Sequence, residues 1–113
     1  MTDTFRAPPF SVEAERRGTT AIVAVIGELD IATAPRFQEA ITKLEAGYAT
    51  LVVDLSKCTF FASSGISILL EENHRGGTNG FELLVVKAPP EVQRMFDLAR
   101  LDHKLTFIEQ PPA

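Results

Sequence analysis

With 113 residues, 45% of them hydrophobic, the chain is long enough for one domain with its own core, and too apolar for wholesale disorder. Its formal net charge of −4 and dispersed basic residues, with only Arg16 and Arg17 adjacent, give no phosphate-binding stripe for nucleic acid. Cys58 is alone, which excludes an internal disulfide framework and any zinc site built from several cysteines. The first residues lack the basic region and apolar run of a secretory signal. No apolar stretch approaches the length of a bilayer span. A cytoplasmic protein without membrane contact is expected.

Residues 1–9 read as a flexible arm ending in Pro8-Pro9, residues 10–109 as one domain, and residues 110–113 as a flexible tail. Phe10 to Glu15 alternates as a first strand, turned at Gly18. Thr20 to Ile26, rich in β-branched residues, predicts a strand stopped by Gly27. Thr33 then caps a helix with Pro35 in its first turn. Phe37, Ile41 and Leu44 form its apolar stripe, and Gly47 is the expected stop. Thr50 to Leu55 is nearly continuous apolar sequence broken by Asp54, as in a buried central strand.

Ser64 to Arg75 predicts a second helix, with Gly76 to Gly80 as a turn into a strand over Phe81 to Val86. Pro89-Pro90 opens a third helix on which Val92, Phe96 and Ala99 share a face, and Leu105 to Ile108 is a last edge strand. Strands separated by helices require crossovers, so the expected fold is α/β: a mixed sheet packed against helices.

Two segments stand out chemically. In Ala62-Ser63-Ser64-Gly65 the serines lie between a strand-like and a helix-like run. A serine there most often satisfies an orphan backbone N–H, and the glycine most often makes a tight turn. The positive end of the helix would also stabilise a phosphate dianion, with Gly65 leaving the surface open to a partner. Gly27-Glu28-Leu29-Asp30 with Thr33 is the second segment, a strand-to-helix connection that places Glu28 and Asp30 near the serines if both segments end parallel strands. Neither segment is a catalytic set. The Gly-x-Ser-x-Gly elbow of a serine hydrolase is absent, and neither His74 nor His103 has an acid partner at a motif spacing. Cys58 reads as a small core residue, and of the adjacent Phe60 and Phe61 one is expected outside.

These two segments, with Val52-Val53-Asp54-Leu55 and Pro90 to Phe96, make the chain resemble the STAS-domain anti-sigma factor antagonists of bacteria, from about Thr20 to Ile108. The resemblance implies a STAS-like fold and a partner-switching role in transcription regulation. The unphosphorylated antagonist binds an anti-sigma factor that is also a serine kinase, and a phosphatase of the PP2C type reverses the modification. Carried to this sequence, Ser64 is the phosphoacceptor. Glu28, Asp30, Thr33, Ala62, Ser63, Ser64 and Gly65 belong to the partner-binding surface, with Ser63 supporting the loop and Gly65 permitting close docking. The chain is then a substrate and not an enzyme. It has no cofactor or metal of its own, and ATP and magnesium belong to the kinase. Family members usually carry aspartate immediately before the serines, where this chain has Ala62. That departure implies a loop without one hydrogen bond or weaker kinase recognition, and it leaves an unphosphorylated STAS scaffold as the alternative.

Overall fold

The computed structural model describes residues 10–112, so the expected arm over residues 1–9 and the final Ala113 lie outside the described residues. The elements are β1 (Phe10–Arg17), β2 (Thr20–Leu29), α1 (Ala34–Thr42), β3 (Thr50–Asp54), β4 (Cys58–Phe61), α2 (Ser63–Asn79), β5 (Glu82–Val86), α3 (Pro90–Leu98), a short 3-10 turn (Leu101–His103) and β6 (Phe107–Ile108). The sheet runs β1-β2-β3-β5-β6, with β4 paired to β2 off that path. Only β1 is antiparallel to its neighbour, so the sheet is mixed as expected.

Strand alternation decides which residues meet the helices. Ala21, Val23 and Val25 of β2, Leu51 and Val53 of β3, and Leu83 and Val85 of β5 form one core with Phe37, Ile41, Ile68, Leu69, Val92 and Phe96 from the helices. Ile22, Val52 and Val86 face the other way and form a smaller cluster with Leu84 and Ile108, without any helix residue. β3 is therefore buried on both faces over Leu51 to Val53, in keeping with its apolar run.

Several expectations are corrected. β2 does not stop at Gly27: that residue takes φ +89°, the register shifts between it and Glu28, and the strand continues to Leu29 with β4 as its new partner. β4 has no counterpart among the expected strands, because four residues are too few to show a period. α2 starts one residue earlier than expected and runs through Gly76 and Gly77. Gly76 is a packing residue, since a Cβ there would lie 2.6 Å from the Phe81 carbonyl oxygen. The helix ends at Gly80, with φ +84°. α1 ends at Thr42, before Gly47. Ala99 is exposed beyond the end of α3, and the last strand is confined to Phe107–Ile108, because the Leu105 N–H bonds back to the Leu101 carbonyl of the 3-10 turn and not to the sheet.

Candidate functional site

Beyond the end of β3, the outer half of β2 pairs with β4, placing Glu28 opposite Phe60 and Leu29 opposite Phe61. The chain reaches β4 through a tight turn in which Asp54 Oδ1 accepts from the Ser56 N–H at 2.9 Å and the Gly27 N–H donates to the Lys57 carbonyl at 3.0 Å. After β4, the Ala62 N–H donates to the Leu29 carbonyl at 2.8 Å. That bond sets the start of α2 directly beside Asp30. The two segments singled out in the sequence are thus brought together at the carboxyl ends of β2 and β4.

Asp30 and Thr33 are locked to one another. Asp30 Oδ1 accepts from the backbone N–H of Ala32 at 2.9 Å and of Thr33 at 3.0 Å. The Thr33 hydroxyl accepts from the Asp30 N–H at 2.8 Å and lies 3.1 Å from the Glu28 carbonyl. Thr33 occupies the cap position of α1 but its side chain does not cap, because its hydroxyl is already engaged inside the loop. The N–H groups near the helix start are served by Asp30 instead, so the expected roles are exchanged. Hydrogen bonds from the Thr33 backbone, opposed by partial burial and supported by the Thr33 hydroxyl, hold the Asp30 carboxyl below the usual carboxylate range. Glu28 lies within β2 and not on the loop, and contributes its carbonyl to Thr33.

At the other side of the site, Ala62 is the N-cap of α2 with extended backbone angles and offers no side-chain acceptor. Ser63 is exposed. Ser64 is half-buried, and its Oγ has less than 1 Å² of accessible surface and no hydrogen-bond partner among the described residues. Neither serine caps the helix, which corrects the expectation from local sequence. Gly65 is also corrected: it is buried, not open surface. A Cβ there would come within 2.6 Å of both Leu29 Cδ2 and Phe61 Cζ. Glycine is required so that α2 can cross the β2–β4 pair closely.

Around this junction two large apolar side chains face solvent, Ile31 at 83% exposure and Phe60 at 49%. Phe61, the neighbour of Phe60, is 1% exposed and packs its ring against Phe37 and Phe96. Ile31 carried no periodic signal in the sequence. Cys58 is fully buried, its Sγ 3.2 Å from the Phe60 carbonyl, and burial pushes the thiol pKa up.

A second concavity lies at the opposite end, where β3 and β5 begin. This cleft of about 830 Å³ is lined by Ile41, Leu44, Tyr48, Glu72, Arg75 and Phe81, among others. Buried Glu72 is held by Arg75 at 2.7 Å, and Arg75 donates to the Tyr48 hydroxyl at 3.0 Å and lies over the Phe81 ring. The i,i+3 spacing of Glu72 and Arg75 was a readable signal for this pair. Among the described residues, no group of three or more His, Cys, Asp or Glu is placed to hold a metal ion. No described helix is long and apolar enough to cross a membrane.

Residues 11–111 match the STAS domain. Osmosensory protein A of Mycobacterium tuberculosis is 30% identical over 97 residues, covering 74% of this chain and 60% of that protein. The chain therefore spans less than two thirds of the length of that curated relative. An anti-sigma factor antagonist from Mycobacterium paratuberculosis superposes with a TM-score of 0.80 at 29% identity, over 90% of this chain and 87% of the other. The anti-sigma factor antagonist SpoIIAA in its unphosphorylated form shares the fold, with a TM-score of 0.73 at 17% identity over 87% of this chain and 88% of its own.

Proposed function

The chain belongs to the STAS-domain family, and on that premise we propose that it is an anti-sigma factor antagonist, a binding module whose dock is the junction of β2, β4 and α2. The 29% identity with the M. paratuberculosis anti-sigma factor antagonist, extending over most of both chains, supports this reading. The observation that carries it is the Leu29–Ala62 bond, which sets the rigid Asp30–Thr33 loop beside Ser63 and Ser64, with Ile31 and Phe60 exposed nearby. Exposed apolar side chains, one of them aromatic, are the residue types that anchor protein–protein interfaces, with the fixed Asp30 carboxylate as a polar neighbour.

The partner is an anti-sigma factor with serine-kinase activity, which brings its own ATP and magnesium. Ser64 accepts the phosphate, and a phosphatase of the PP2C type removes it. The exchange takes place in the cytoplasm. A dianion on Ser64 would add charge to a dock that already carries the Asp30 carboxylate, so like-charge repulsion and desolvation would release the partner. The chain is the substrate of this chemistry and not its catalyst.

The test is titration calorimetry of the native protein, Ser64→Ala and Ser64→Asp against the anti-sigma factor of the same organism, with intact-mass analysis after incubation with ATP and magnesium. The expected result is tight binding by the first two, weak binding by Ser64→Asp, and one phosphate gained by the native protein alone. Equal affinity of all three would defeat the switch. Ala62 and the enclosed Ser64 hydroxyl favour a second reading, an unphosphorylated STAS scaffold. Tight binding with no phosphate gained from a kinase proved active on another antagonist would select it.

A further inference from the structure

The Ser64 hydroxyl, which the proposed function makes the phosphoacceptor, is closed off from solvent and from hydrogen-bond partners alike among the described residues. A kinase must bring its nucleotide to that oxygen, so the closed turn is not the form it modifies. The neighbouring Ser63 is exposed and shows that the closure is specific to the second serine.

The first turn of α2 is weakly capped, although the Ala62 N–H ties its start to the Leu29 carbonyl at 2.8 Å. Its cap residue Ala62 supplies no side-chain acceptor, and the turn carries no acidic residue to meet the positive end of the helix. The turn is closed by the Ala62 carbonyl, which accepts from the N–H groups of Gly65 at 2.9 Å and Ile66 at 3.2 Å. Downstream, Gly65 is pinned between Leu29 and Phe61, so the helix body cannot follow an opening at its end. The buried, unpartnered hydroxyl further disfavours the closed form, because a polar group without a partner loses its hydration for nothing.

We propose that Ser64 is a gated phosphoacceptor: residues 62–64 peel from α2 to present the hydroxyl, Gly65 is the fixed point of the motion, and the uncapped Ala62 sets how often it occurs. The inference rests on Ser64 being the modified residue, but the gate can be measured without a kinase. A neutral cap at position 62 would lower the population of the open turn about fivefold, the usual worth of a good cap over alanine.

The experiment is alkylation by iodoacetamide of the thiols introduced by Ser63→Cys, Ser64→Cys and the double variant Ala62→Asn with Ser64→Cys. Each rate is corrected for thiolate fraction from its own pH profile. The native Cys58 is fully buried and serves as the silent background. The Ser63→Cys thiol is expected to react as an open thiol, the Ser64→Cys thiol at least tenfold more slowly, and the double variant about fivefold more slowly again. Low urea should leave these rates unchanged, as a local opening requires. Equal rates for Ser63→Cys and Ser64→Cys would overturn the gate by showing that side-chain rotation alone exposes the site. So would a rate unmoved by Ala62→Asn, or one that rises with urea as global unfolding does. The functional reading fails separately, if no phosphate reaches Ser64 from a kinase proved active on another antagonist.

Discussion

Phe60 and Phe61 are consecutive residues of one strand with opposite fates: Phe61 is 1% exposed against Phe37 and Phe96, and Phe60 is 49% exposed. The pleat sends them to opposite sides, so one aromatic holds the site together and the other is free to engage a partner. Phe61→Ala should destabilise the fold by about 3–5 kcal/mol, read from urea denaturation. Phe60→Ala should leave stability within about 0.5 kcal/mol of native while weakening binding to the proposed anti-sigma factor partner by a factor of ten or more. Comparable stability losses for both variants would contradict the assignment.

Gly65→Ala sets a small gain in helix propensity, at most about 1 kcal/mol, against a Cβ placed 2.6 Å from two side chains. Those side chains, Leu29 and Phe61, are 0% and 1% exposed and have nowhere to move. Overpacking should win, with a net loss of about 1–2 kcal/mol seen as a lower thermal midpoint. An unchanged or higher midpoint would show that α2 is not seated as closely as described.

Ser64→Ala removes an oxygen that is buried without a partner among the described residues. The variant should unfold at the same temperature as the native protein or slightly higher, a gain of up to about 1 kcal/mol. A clear loss of stability would mean that the hydroxyl makes a bond in solution.

Arg75→Ala leaves the Glu72 carboxylate, 5% exposed, without its counter-ion, while Arg75 itself is 44% exposed. The full cost of breaking a buried pair is reduced by that exposure, so a loss of about 2 kcal/mol is expected. Arg75→Ala combined with Glu72→Gln should recover part of it, because the buried charge is then gone. No recovery would place the role of Arg75 in its packing over Phe81.

The Asp30 pKa is lowered on folding, chiefly by the Thr33 backbone N–H. The sign follows directly: the loop gains stability from the ionised carboxyl at all pH above the unfolded value of about 3.9, and loses it as pH falls through the lower folded value. Amide chemical shifts of Ala32 and Thr33 should therefore titrate with a midpoint below the unfolded carboxyl value. A midpoint at or above that value would contradict the bonding described for Asp30.

Most of this architecture was legible in residue patterns. The apolar run Leu51-Val52-Val53 announced a strand buried on both sides, and the stripe of Phe37 and Ile41 announced a helix packed on the sheet. The proximity of Asp30 to the serines was expected if both segments ended parallel strands, although β4, the strand that ends at the serines, was not itself among the expected strands. What escaped was set by tertiary packing. Glycines in a row suggested a turn, yet Gly76 sits inside a helix because Phe81 passes close to it. Gly65 looked like an opening for a partner and is filled from within by Leu29 and Phe61. The hydroxyl of Thr33 had two uses open to it, and nothing in the sequence reveals that the loop takes it before the helix can.

The sheet is unevenly supported along β2. Its first half stands in a rung three parallel strands wide, Ile22 beside Val52 beside Leu84. Its last two residues, Glu28 and Leu29, share only a short, bulged ladder with β4, while Gly27 before them still pairs with Phe10 of β1. Slowly exchanging amides should therefore concentrate at the inner rung, and those of Glu28, Leu29, Phe60 and Phe61 should form a separate, less protected tier. The end that carries the proposed dock can then loosen and re-form many times within the lifetime of a single folded molecule, so remodelling it on contact need not endanger the rest of the domain.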